Sequence, residues 1–163
     1  YPQHATVVSR IDTSAALQAH FLRRSLELEI VRELAGGDPT TLPRLVAALR
    51  EQIVRQVRAL AAQDYAAFTL ADREFHRALY DAASMGELFH LIRQRSGHVD
   101  RLRRLNLPAR GKAQAVVRDH KAIADAIEAR QPEAAQAALR KHLAGTLTFV
   151  DEVRQRHPDW VQG

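Results

Sequence analysis

The chain has no cysteine, which removes disulfides, a thiolate zinc site and a cysteine nucleophile from consideration. It has no apolar run of membrane-spanning length, and its start, Tyr1-Pro2-Gln3-His4, lacks the features of a signal peptide. These absences suggest a cytoplasmic protein with no membrane partner. Lysine is scarce: Lys112, Lys121 and Lys141 are the only three. The net charge of +5 therefore rests almost wholly on arginine. The arginines are scattered through helical patterns with acids between them, as on a solvated surface. From residue 12 onward no segment alternates polar and apolar residues over strand length, and no repeat of fixed period is visible.

What is present is helical periodicity. The 163 residues suffice for one domain with a sizeable core. Asp12-Thr13-Ser14 offers an N-cap, after which Leu17, Phe21, Leu28, Val31 and Leu34 recur at helical spacing until Gly36-Gly37. A second helix begins near Thr40-Thr41, has Pro43 in its first turn, and carries Leu45, Leu49, Ile53, Val57 and Leu60. A third runs from about Asp64 to Ala83 and a fourth from Glu87 to Asn106, before Leu107-Pro108. A fifth spans about Gly111 to Ala129, and a sixth lies between Pro132 and Pro158. The expected fold is all-α, an antiparallel bundle of six helices with short loops and a central cavity. Residues 1–11 differ: they are β-prone, and a strand without a partner leaves its backbone groups unsatisfied. They are expected to belong to a preceding domain, with residues 12–157 forming the helical domain and 158–163 a C-terminal tail.

Chemistry concentrates at four positions. Asp72 and His76 stand at i and i+4 on one helix face, while His120 and His142 each sit among apolar residues at helical spacing. Any one of these histidines alone reads as a core residue satisfied by a neighbour. As a set they read differently, because a buried carboxylate beside three imidazoles costs several kcal/mol without compensation. Such a nitrogen and oxygen set suits zinc, and also nickel or manganese. The remaining histidines, His4, His20, His90 and His157, form no constellation. A rival reading is a metal-dependent hydrolase or lyase, since zinc with an open position activates water. Against it, no His-Glu-x-x-His pattern occurs, none of the three histidines stands in a Glu-x-x-His pair, and Glu74 and Asp119 are rotated about 100° from the ligand face. Direct nucleic-acid binding by the basic helices is a third reading.

Three stretches carry a resemblance. They are Asp-x-x-Phe-His at Asp72–His76, Asp-His-x-x-Ile-x-x-Ala-Ile at Asp119–Ile127, and Ala-x-x-Ala-Leu-Arg-x-His-Leu at Ala135–Leu143. Together with Arg23-x-x-Leu26-Glu27, the block Arg95–Leu105 and the twenty-two-residue spacing from His120 to His142, they resemble the FCD domain. That is the effector-binding domain of the FadR subfamily of GntR transcription regulators. Gly86 departs from the asparagine usual after the third helix, and Ala5 from a glycine usual in the wing. The resemblance covers almost the whole chain, and residues 1–11 look like the last strand of a winged helix-turn-helix. It implies a metal held by Asp72, His76, His120 and His142, and a small organic acid bound beside it. The candidate acid-binding residues are Arg23, Arg95, His98 and Arg101, because the guanidinium fork suits carboxylates. Arg95 is chosen because it shares a helical stripe with Val99 and Leu102, Arg101 because of the resemblance. Operator DNA bound through the missing N-terminal domain and a homodimer are the other partners implied.

Overall fold

A computed structural model describes residues 9–163, apart from the side chains of 146–148. A short strand, β1 (Ile11–Asp12), leads into seven helices: α1 (Thr13–Gly36), α2 (Leu42–Ala61), α3 (Tyr65–Ala82), α4 (Gly86–Arg95), α5 (Gly97–Asn106), α6 (Lys112–Glu128) and α7 (Pro132–Arg156). A 3-10 turn at Pro158–Trp160 and a second short strand, β2 (Val161–Gln162), close the chain. The all-α fold expected from periodicity is what is found. Among the described residues no helix is long and apolar enough to cross a membrane.

Local chemistry accounts for the helix boundaries. Asp12 Oδ1 accepts from the N–H of Ala15 at 2.8 Å and Asp64 Oδ1 from Ala67 at 2.9 Å, so both carboxylates satisfy donors that a first helical turn leaves unpaired. Pro43 and Pro132 sit in the first turns of α2 and α7, where the missing N–H costs nothing. Gly111, with φ +76°, enters α6 from the left-handed region.

Two elements differ from the expectation. The helix foreseen over Glu87–Asn106 is broken at Ser96, whose hydroxyl donates to the carbonyl of Ile92 at 2.7 Å. The buried positions Phe89, Ile92, Ser96, Val99 and Leu102 nevertheless keep helical spacing across it. The strand at Ile11 also finds a partner within the chain: it pairs in parallel with Val161. Residues 1–8 of the foreseen wing strand lie outside the described residues.

α1 runs through the middle, touching α3, α4, α5, α6 and α7. Its inward face is Ala16, Ala19, His20, Arg23, Glu27, Ile30 and Val31. Leu17 and Phe21, the start of the stripe read from the sequence, point outward at 40% and 67% exposure. The central helix thus brings charged groups inward. α2 packs on α3 and α6, and α7 on α1 and α6, around a core that includes Leu49, Phe68, Phe75, Leu79, Ile123, Ile127, Leu139 and Leu143. Burying side chains of this size is worth about 1.5–3 kcal/mol each. A second, smaller cluster of Ile11, Val99, Leu102, Val150, Val153 and Val161 fastens β1, β2 and α5 to α7. Trp160 stacks on His157 beside it, ring centroids 4.0 Å apart.

Candidate metal centre

Three helices deliver the four foreseen ligands to one point. Asp72 and His76 stand one turn apart on α3, His120 comes from α6 and His142 from α7. One donor atom from each lies within 4.8 Å of every other. The Nε2 of His142 is 3.3 Å from that of His120 and 3.3 Å from that of His76. His120 Nε2 lies 3.7 Å from Asp72 Oδ1. All four residues are buried, and the His120 ring stacks flat on Phe75 at 3.9 Å.

The far side of each ring decides what the near side offers. His120 Nδ1 lies 3.0 Å from Gln56 Oε1, an oxygen that can only accept. His76 Nδ1 is 2.9 Å from Glu27 Oε2, within ion-pair distance though not aligned as a hydrogen bond. His142 Nδ1 faces Asp119 Oδ2 at 3.9 Å. Acceptors behind the rings favour the proton on Nδ1 and leave the Nε2 lone pairs aimed at one another, an arrangement typical of metal-binding histidines. Burial pushes His120 down to about 4, and pushes His76 and His142 well below the ordinary imidazole range. All three rings are therefore neutral near pH 7, the form that ligates. For Asp72 burial works upward, but the charge of Arg103 and the surrounding groups outweighs it and holds the carboxyl below the usual range. Its Oδ2 accepts from Arg103 at 2.5 Å, while its buried Oδ1 has no hydrogen-bond donor. An orphaned carboxylate oxygen beside converging lone pairs fits a divalent cation.

A cavity of about 460 Å³ opens beside the cluster, lined in part by Arg23, Glu27, Asp72, His76, Arg93 and Arg103. A narrower chamber of about 50 Å³ continues from it, sharing Arg23, Thr69, Asp72, Asp100, Arg103 and Leu107 and reaching His142, Asn106 and Lys112. Of the four acid-binding candidates, Arg23 lines both spaces, with its Nε donating to Glu27 Oε1 at 2.8 Å. The other three do not. Arg95 is exposed at the end of α4. His98 Nδ1 accepts from the backbone N–H of Asp12 at 3.2 Å, and Arg101 Nη1 approaches the carbonyl of Arg10 at 3.5 Å. Arg95 falls beside the buried stripe of Ile92, Ser96 and Val99 and stays exposed, whereas Arg103, four residues after Val99, turns inward to Asp72.

A family model for the FCD domain matches residues 18–145. The chain belongs to the FCD domain family. Among the proteins it resembles is an HTH-type transcriptional regulator in an unstable DNA locus of Streptomyces ambofaciens, 31% identical over 160 residues. The HTH-type transcriptional repressor RspR of Escherichia coli K12 is 24% identical over 159 residues, as is the regulator YdfH of Shigella flexneri. Each alignment covers 98% of this FCD domain, but only 65% of the Streptomyces protein and 68% of the other two. Sequence reasoning missed Arg103, Glu27 and Gln56 in the site. Glu27 and Arg103 each carried a readable signal, their i,i+4 spacing from Arg23 and from the apolar Val99.

Proposed function

We propose that this FCD domain is the effector-sensing part of a helix-turn-helix transcription regulator. It holds one divalent metal, zinc in the first place with nickel or manganese as alternatives, and binds a small organic acid beside it. The observation that carries the reading is the convergence of three lone-pair nitrogens and one orphaned carboxylate oxygen at the wall of a cavity that also presents Arg23 and Arg103. Asp72, His76, His120 and His142 would hold the ion, and with four donors an ion of higher coordination number keeps positions open. When bound, the metal supplies a Lewis-acid anchor for a carboxylate.

The protein's own groups do the rest. Gln56 and Glu27 fix the rings of His120 and His76. Arg103 orients Asp72 through Oδ2 and presents its guanidinium to the cavity, where charge-assisted hydrogen bonds to an acid are strong. Glu27, the carboxylate nearest a ligand ring, is engaged with Arg23. It is poorly placed as a general base, which weighs against the hydrolase or lyase reading. DNA contact belongs to a separate helix-turn-helix domain, and the regulator works as a homodimer reading two half-sites.

Metal binding to the folded site should raise stability by RT ln(1 + [M]/Kd), roughly 4 kcal/mol at a thousandfold excess over Kd. We expect one zinc per chain by elemental analysis, and its loss together with the melting-temperature gain in His120→Ala and His142→Ala. Full zinc occupancy in both variants would overturn the site.

A further inference from the structure

We propose that the effector is a dicarboxylic acid whose second carboxylate is received by Lys112. The proposal rests on the reading of the metal centre as the anchor of the first. Lys112, the first residue of α6, is half-buried and lines the narrow chamber. Its Nζ donates to the carbonyl of Gly145 on α7 at 3.2 Å, which leaves donor capacity unused on a group with three N–H bonds.

Gly145 leaves that ammonium room where it stands. A Cβ there would lie 2.7 Å from Nζ, inside van der Waals contact. Much of the rest of the chamber is apolar, built of Phe68, Leu102, Val116 and Leu143. A cationic group beside such walls is costly unless an anion meets it. The arginines that line the same chamber are matched, Arg23 to Glu27 and Arg103 to Asp72. Among the described residues Lys112 has no carboxylate partner. The other two lysines of the chain are at the surface, Lys121 exposed and Lys141 79% exposed beside Asp119.

Size selects the group as well as charge. About 50 Å³ holds a few water molecules at roughly 10–15 Å³ each. That is enough for one planar carboxylate and too little for a ring or a branched tail. Asp72 lines both the larger cavity and the chamber, and Lys112 lines the chamber, so a molecule with its first carboxylate at the metal on the cavity side can extend its second to Lys112.

The test is calorimetry on zinc-loaded protein with matched pairs that differ by one carboxylate: succinate against butyrate and glutarate against pentanoate. The diacid of fitting length should bind at least tenfold more tightly than its partner, and Lys112→Met should bring that ratio toward one. Gly145→Ala displaces Nζ from its present seat while replacing a helical glycine by a better helix former, so it keeps the fold and should lower the ratio too. Zinc content and melting temperature report folding of both variants. A ratio near one in the unmodified protein, or a ratio unchanged in both variants, overturns the proposal. Repeating the series on zinc-stripped protein separates the two readings. If every acid binds equally well without zinc, the metal anchor fails, while the Lys112 ratio still stands or falls by itself.

Discussion

Asp72 faces two ways: Oδ2 meets Arg103 and Oδ1 meets the imidazoles. A single carboxylate thereby ties the charge on α5 to the rings on α6 and α7, which is why its i,i+4 pairing with His76 carries more than two ligands. The buried imidazoles of the domain also set its response to acid. His20, on the inward face of α1, is lowered to about 4, by burial first and then by the charges of Arg23 and Arg24. His120 lies at about 4 as well, again through burial. A histidine whose folded value lies below its unfolded one, about 6.5, binds fewer protons when folded. Its contribution is complete above pH 6.5 and is lost as pH falls toward 4. Metal-free protein should accordingly melt at steadily lower temperature across that window. His20→Gln should make the fall shallower by on the order of 1 kcal/mol, once partial solvation of the ring is allowed for. Parallel pH profiles of the two proteins would show that His20 takes no part. The four clustered residues were legible because chemically unusual residues recur at helical spacing among apolar neighbours. His20 looked unremarkable because its environment is made by burial and by Arg23 three positions on, whose inward direction a hydrophobicity stripe conceals.

At the scale of elements, periodicity identified helices far better than it identified their faces. The stripe read for α1 included Leu17 and Phe21, yet the core took Ala16, Ala19, Arg23 and Glu27. A helix touching five others meets protein on most sides, so its sequence shows no single apolar face. The break at Ser96 was hidden for a related reason: the surrounding pattern of Val99 and Leu102 stays helical across it. The short helix it creates depends on tertiary ties. Ten residues are too few for a stable isolated helix in water. α5 is held by Val99 and Leu102 below and by the bond from Arg103 to Asp72. Removing that charge-assisted bond costs about 2 kcal/mol. Amide exchange across 97–106 should therefore quicken roughly thirtyfold in Arg103→Ala, with α2 and α6 much less affected. Uniform quickening throughout the domain would instead mean global destabilisation, and no change would mean that the arginine does not anchor α5.

For the whole molecule the question is what a net charge of +5 does. Many arginines face acids on their own or neighbouring helices, as Arg32 does Glu29, Arg50 does Asp125 and Glu128, and Arg77 does Asp81. The excess charge is diffuse, and among the described residues no helix is set out to enter a groove with side chains at base edges. The isolated chain should give no sequence-selective footprint at physiological salt. Any binding should weaken steeply as salt rises from 50 to 200 mM, as counterion release requires. A protected operator-like sequence in that experiment would assign DNA reading to the domain itself.

The pairing of β1 with β2 has one more consequence. It sets the only tryptophan of the chain at a particular place: Trp160, 47% exposed, lies against His157 and borders a surface hollow with Arg10 and Arg101. Indole emission follows the polarity and stacking of its surroundings, so light excited beyond the absorption of tyrosine comes from the end where α5 meets β1 and β2. The metal centre, walled by histidines and phenylalanine, is dark at those wavelengths. A colour change in the glow of Trp160 when metal or acid is added would be news carried along α5 from a place that cannot itself be seen.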